Sequence, residues 1–401
     1  MKRIIVAILA FLLIFGCSST EEQLIKRAEK IHAAYLTVDT HCDTPMEMTN
    51  SGFDLGVKND RGCVDFPRMN EGGLNAEFFA VFIAQGPRTD SGFLKAHTET
   101  LKIFRTIHDN VNKNSNLASV ALTPDDAYKL KKEGKIAAFI GIENGYPVGK
   151  DISRIQQYYN LGARYITLCH SGNNDICDSS TDQKGPEHDG LSEFGKNVVR
   201  EMNRLGMMVD VSHISDKAFY DVIETTKVPV FASHSSSRAL CSSARNLTDD
   251  MLLALKSNGG VIQICILSSF IKTPEPNPLL DSKLKELREK YGNFSVLTDV
   301  QKKAYRTERW EIQNNYKILA TVSDVVDHID HVVQVIGIDH VGIGTDFDGG
   351  GGVDGCRDVS EMKNITIELL RRGYSKADIA KIWGGNIMRV FREVESHTEK
   401  V

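Results

Sequence analysis

Eight short apolar runs rich in β-branched residues recur along the chain, with stretches of helical period between them. The runs are "AYLTVDTH", "NAEFFAVFI", "KIAAFIGIEN", "ARYITLCH", "GMMVDVSH", "VPVFASHS", "GGVIQICI" and "HVGIGTDFDG". The intervening segments include "DISRIQQYYNLG", "SEFGKNVVREMNRLG", "DKAFYDVIETTK" and "TDDMLLALKSNGG", several closed by the glycine that commonly ends a helix. Strand and helix in alternation argue for a parallel sheet, because parallel neighbours need a crossover. Eight such units in 401 residues predict a (β/α)8 barrel of the α/β class. Two stretches depart from the plain pattern. Ser268 to about Tyr316 is polar and charged and predicts a helical insertion after the seventh strand, over one edge of the barrel mouth. Asp358 to Glu395 predicts two or three helices packed on the outside of the barrel, closing the chain.

The chain opens "MKRIIVAILAFLLIFGCSST". Lys2 and Arg3, an apolar core too short for a comfortable membrane span and a small residue before Cys17 read as an export signal. "IFGC" resembles a bacterial lipoprotein signal, in which Cys17 is lipidated and becomes the first residue of the mature chain, although Phe15 stands where a smaller residue is commoner. The expected organisation is a signal peptide over 1–16, the lipidated cysteine and a polar tether over 17–23, and one barrel domain over 24–401. The alternative is a plain cleaved signal peptide followed by an incidental cysteine. The lipoprotein reading puts the protein outside the cytoplasm, anchored to a membrane on its periplasmic or cell-surface side. In such oxidising surroundings some of Cys42, Cys63, Cys169, Cys177, Cys241, Cys265 and Cys356 could pair. A net charge of -5 with no basic run in the mature part removes the electrostatic case for nucleic acid. Small molecules and peptides remain as partners.

The reactive residues sit at the ends of the runs. His41 and Asp43 follow the first, Glu143 the third, His170 the fourth, His213 the fifth, His234 the sixth and Asp346 the eighth. In a barrel these positions share the C-terminal rim, where active sites lie. Asp39, His41 and Asp43 occupy every second position, so an ideal strand would turn all three to one face. Taken singly, His213 and His234 could each cap a neighbouring helix. Asp210 reads equally as a group that orients a ligand and as a buried strand residue facing the helices. Arg245, in "SSARNLTDD", either reaches the barrel mouth or pairs at the surface with Asp249 or Asp250. A carboxylate such as Glu143 is costly to bury alone, and a cation would partner it. Histidine nitrogen and carboxylate oxygen are the donors zinc accepts, and one carboxylate can bridge two ions.

The ordered set "THCD", "GIEN", "TLCH", "DVSH", "ASHS", "SARN" and "GTDFDG" resembles the membrane dipeptidase (renal dipeptidase) family of zinc metallopeptidases, over essentially the whole chain from about Glu22. The resemblance implies a dipeptidase that cleaves dipeptides with both termini free, using a hydroxide shared by two zinc ions. It implies that His41 and Asp43 hold one zinc, His213 and His234 the other, and that Glu143 bridges. It further implies that His170 sits over the substrate carbonyl, Arg245 holds the substrate carboxylate, and Asp346 handles the proton. A homodimer is compatible with it. Gly344, Thr345 and Asp346 stand where mammalian members have Gly-Gly-Asp, a difference that bears on substrate preference. Two other functions remain open: a binuclear amidohydrolase acting on acyl-amino acids, lactams or lactones, and a surface lipoprotein that binds peptides without turnover.

Overall fold

The computed structural model describes residues 20–49 and 52–398, so Cys17 and the export signal lie outside the described residues. The strands are β1 (Val38–Cys42), β2 (Ala76–Phe82), β3 (Ala118–Val120), β4 (Ile136–Glu143), β5 (Ala163–Thr167), β6 (Met208–Asp210), β7 (Phe231–Ser235), β8 (Val261–Ile264) and β9 (Val341–Ile343). They form one parallel sheet in the order β1-β2-β4-β5-β6-β7-β8-β9, with β3 paired on β4 away from this path. The ring comes back on itself where the Asp43 N–H donates to the Phe347 carbonyl (2.7 Å) and the Asp346 N–H to that of His41 (3.0 Å). The eight predicted strands are therefore the barrel. β3 is an addition whose three residues, "ASV", are too few to show a period.

Strand residues are buried on both faces, as a parallel sheet wrapped by helices requires. Inside, Val38, Phe78, Phe139, Tyr165, Met208 and Phe231 pack into one cluster. The helices outside begin on hydroxyl caps: Ser192, Ser215 and Thr248 each accept from the amide three residues on.

The chain ends differently from expectation. The final helix, Asn386–Ser396, does not lie on the outside. Its Phe391 ring packs 5.8 Å from Phe139 and 6.5 Å from Phe78, so it plugs the end of the barrel opposite the rim. Its apolar stripe of Ile387, Met388, Val390, Phe391 and Val394 is what such a plug needs.

The predicted insertion consists of helices over Ser268–Ile271, Pro278–Tyr291 and Asp299–Tyr316. The first borders the mouth. Its Phe270 ring lies 5.3 Å from the Arg245 guanidinium, and the Ile271 carbonyl meets His328 Nε2 at 2.8 Å. The two longer helices pair with each other through Glu308, which receives Lys290 (2.6 Å) and Tyr291 (2.7 Å).

The seven cysteines among the described residues are all free thiols, six of them buried, so the expected pairing is not present. Cys169 and Cys177 face each other in the loop after β5, and the other five come from separate parts of the chain. No helix among the described residues is long and apolar enough to cross a membrane.

Candidate active site

The strand-end residues meet around Glu143, the last residue of β4. Its Oε1 lies 3.0 Å from His213 Nε2 and 3.5 Å from both His234 Nε2 and His170 Nε2. Its Oε2 faces His41 Nε2 at 3.6 Å, and His41 Nε2 stands 3.8 Å from Asp43 Oδ2. The His213 and His234 Nε2 atoms are only 2.9 Å apart. Glu143, His41, Asp43, His213 and His234 are all buried. Yet His41 Nε2, Asp43 Oδ1 and Glu143 Oε2 have no hydrogen-bond partner. Unpaired polar atoms are expensive in an interior, and several turned toward one point mark a place for a cation. Three triplets of donor atoms lie within 4.8 Å of one another: His41, Glu143 and His234; Glu143, His170 and His213; and His41, Asp43 and Asp346. Nitrogen and carboxylate donors without sulfur fit zinc and its neighbours.

Backbone detail aims these groups. Asn144, His213 and Asp346 hold left-handed φ values of +77°, +70° and +61°, uncommon for residues with a side chain. Asn144 fixes the bend after Glu143 by donating to the Ile83 carbonyl (2.8 Å) and accepting from the Tyr146 N–H (3.1 Å). The turn after Asp346 needs glycine, because a Cβ on Gly349 would lie 2.1 Å from Asp43 Oδ2 and 2.2 Å from Asp346 Oδ1. On the barrel interior, Tyr165 Oη meets His41 Nδ1 at 2.9 Å. The ring fits only because position 141 is glycine, where a Cβ would lie 1.9 Å from it.

Asp39 does not join the cluster. The β1–β2 register shifts between Asp39 and Cys42, which breaks the alternation that an ideal strand would have kept. The Asp39 carboxylate instead accepts from the Thr345 N–H (2.8 Å), the Thr345 hydroxyl (2.5 Å) and the His41 N–H (3.3 Å). His213 and His234 cap no helix, since Ser215 and Thr248 do that. Arg245 is buried, not paired at the surface. Its Nη2 donates to the His234 carbonyl (3.0 Å), Nη1 reaches Ser235 Oγ (3.4 Å), and Nε has no partner. Asp210 turns toward Thr167 and Ser233, away from the helices.

Burial sets the protonation preferences. It drives His213 and His234 well below the ordinary imidazole value, reinforced by Arg245 and the other histidines, so both present neutral lone pairs. His170 falls to about 4 through burial and the Arg245 charge. Burial opposes charge on His41, but Tyr165, Glu143 and Asp43 outweigh it and hold its proton firmly. A cation would satisfy the same carboxylates. Asp346 is raised well above the usual carboxyl range by burial and the neighbouring Asp43.

Tyr165, Ser233 and Phe82 border the site without any mark in the motifs, while Thr345 stands out only as a change from Gly-Gly-Asp and Cys265 only as a possible disulfide partner. Phe82 meets His170 edge-on at 4.9 Å. Cys265, just after β8, has its Sγ 3.8 Å from Asp346 Oδ2. Ser233 and Cys265 carried a signal in their positions beside rim residues and strand ends. Tyr165 and Phe82 read as core.

The family model described as membrane dipeptidase (peptidase family M19) matches residues 25–401. Dipeptidase tcpJ of Claviceps purpurea is 36% identical over 89% of this chain and 76% of its own length. Dipeptidase aclJ of Aspergillus oryzae is 33% identical over 83% of this chain and 70% of its own. Among solved structures, the probable dipeptidase PvdM from Pseudomonas aeruginosa aligns with a TM-score of 0.82 at 32% identity, over 94% of this chain and 100% of that one. A metallo peptidase from Rhodobacter sphaeroides, liganded with a phosphinate mimic of the dipeptide L-Ala-D-Ala, shares the fold at 21% identity. Its TM-score is 0.73, over 90% of this chain and 99% of that one.

Proposed function

The chain belongs to the membrane dipeptidase family, and from that premise we propose that it is a two-zinc enzyme in which Glu143 spans both ions, His41 and Asp43 hold one, and His213 and His234 hold the other. It is a metal-dependent peptide-bond hydrolase acting on dipeptides. The observation that carries the finer reading is Glu143 itself, a buried carboxylate with Oε1 toward His213 and His234 and Oε2 toward His41. When bound, the ions would activate a water and polarise the peptide carbonyl.

The protein's own groups do the rest. His170 is neutral, and the Ser171 hydroxyl at 2.7 Å from its Nδ1 lets Nε2 carry the hydrogen, so it donates to the carbonyl oxygen as negative charge develops. Asp346, whose proton affinity is raised by burial and by Asp43, takes a proton from the attacking water as a carboxylate and hands it to the leaving amine. Arg245 receives the dipeptide carboxylate through its guanidinium, whose Nε has no partner within the protein. A panel of dipeptides, their amides and acyl-amino acids tests the substrate class. Turnover of acyl-amino acids in preference to free dipeptides would overturn it.

Arg245→Ala should lose on the order of 10² or more in kcat/KM toward a free dipeptide, the equivalent of one or two charge-assisted hydrogen bonds. It should lose far less toward the dipeptide amide, already a poor substrate, and Arg245→Lys should rescue only in part, since an ammonium lacks the planar fork. Equal losses on acid and amide would make Arg245 a support for the loop.

Lipidation at Cys17 would tether the domain to a membrane. The basic start, the apolar stretch and the cysteine support this, and a diacyl anchor supplies the two chains stable attachment needs. Cys17→Ser should move the protein from the membrane to the soluble fraction with unchanged specific activity. Retention in the membrane would point to an uncleaved N-terminal anchor.

A further inference from the structure

One carboxylate beneath the site is tied to three of the strands that deliver its histidines. Asp210 ends β6, is fully buried, and accepts four hydrogen bonds. Oδ1 receives the Ser212 N–H (3.0 Å) and the Ser233 N–H (2.8 Å). Oδ2 receives the Thr167 hydroxyl (2.5 Å) and the Ser233 hydroxyl (2.6 Å). Thr167 precedes His170 by three residues, Ser212 directly precedes His213, and Ser233 directly precedes His234.

The consequence lies in where hydrogens can point. Backbone N–H groups can only donate, and O···O separations this short are those of hydroxyls donating to a carboxylate. The single hydrogen of Ser233 is thus committed to Asp210. Ser233 Oγ has only lone pairs left for His234 Nδ1, 2.7 Å away. His234 must then carry its hydrogen on Nδ1, which leaves Nε2 bare and facing Glu143 and His213. The neighbouring Ser212 hydroxyl accepts from the His234 N–H (3.1 Å) and stands 3.4 Å from Ser233 Oγ, which leaves this order unchanged. His41 has no such constraint, because its Nδ1 partner is a phenol that can donate or accept.

We propose that Asp210 and Ser233 are positioning residues that fix the tautomer of His234, presenting a bare Nε2 before any ion arrives. This rests on the reading of His234 as a metal ligand. Asp210→Asn is near-isosteric but puts an N–H where Oδ2 accepted. Ser233 must then turn its hydrogen to His234 Nδ1, moving the imidazole hydrogen to Nε2. An aspartate-to-asparagine change behind a hydrogen-bonded histidine inverts the tautomer in this way with little change of geometry.

The test is 15N NMR of the metal-free, histidine-labelled full chain, where bare and protonated ring nitrogens are distinct, with His234→Gln to assign the signals. The parent and Ser233→Thr should show His234 protonated on Nδ1, Asp210→Asn should show it on Nε2, and Ser233→Ala should show a mixture. Zinc affinity, read by chelator competition, should fall 10- to 100-fold in Asp210→Asn, the usual effect of removing a partner behind a ligand, and stay at the parent value in Ser233→Thr. His234 keeping its Nδ1 hydrogen in both Asp210→Asn and Ser233→Ala would overturn the inference. An inverted tautomer with unchanged zinc affinity would support the relay and remove His234 from the ligand set.

Discussion

Glu143→Gln is expected to take the zinc content of the purified, dialysed protein from about two per chain to below one, and dipeptide turnover down by 10³ or more. The substitution keeps the shape of the side chain. It replaces one acceptor oxygen by an N–H2 group at the point where four imidazoles converge within 3.0 to 3.6 Å. An amide nitrogen has no lone pair to offer a cation, and its hydrogens point at the site the ion would fill. The activity loss follows because bound zinc is what brings the pKa of water from 15.7 to about 7. Elemental analysis beside a circular dichroism spectrum separates this from unfolding. A folded variant that retains two ions would take Glu143 out of the bridge.

Asp346→Asn should leave the ions in place and lower kcat by about 10² to 10⁴, the usual contribution of a positioned acid or base. Asparagine suits the test because it also tolerates the left-handed backbone that residue 346 adopts at φ +61°. The His41 carbonyl would keep its bond from the residue 346 N–H. Metal content is the discriminating measurement, since Asp346 also lies within one of the donor triplets, with His41 and Asp43. Loss of one ion together with activity would make Asp346 a ligand and move the proton transfer elsewhere.

What could be read from the residues beforehand follows from which interactions are periodic. The eight barrel strands were visible because burial on both faces demands long apolar runs. The rim was visible because polar residues stop those runs at the same end. Asp39 was misplaced because the alternation rule assumes a regular strand, and the β1 register shift lies between Asp39 and Cys42. The final helix was misplaced because an apolar stripe reveals that a face is buried and does not reveal against what. The structural roles of Thr345 and Ser233 were not legible because a hydroxyl beside a site residue has no signature until its partner carboxylate, distant in sequence, is known. Asn144, His213 and Asp346 gave no hint of positive φ, which sequence discloses mainly through glycine.

The bond between Asp39 and Thr345 spans 306 residues, and the order of synthesis gives that span a meaning. A chain made from its N-terminus possesses His41, Asp43, Glu143, His170, His213 and His234 while the strand bearing Asp346 is still missing. The seam between β1 and β9 joins parts of the chain that are 306 residues apart, and contacts so distant in sequence are the slow ones to form. A nascent chain that has passed His234 but not reached the last strand would carry the proposed metal donors without Asp346, the proposed proton carrier. On the proposed mechanism, hydrolysis would begin only when the first strand and the last are joined, so the appearance of activity would time the completion of the barrel.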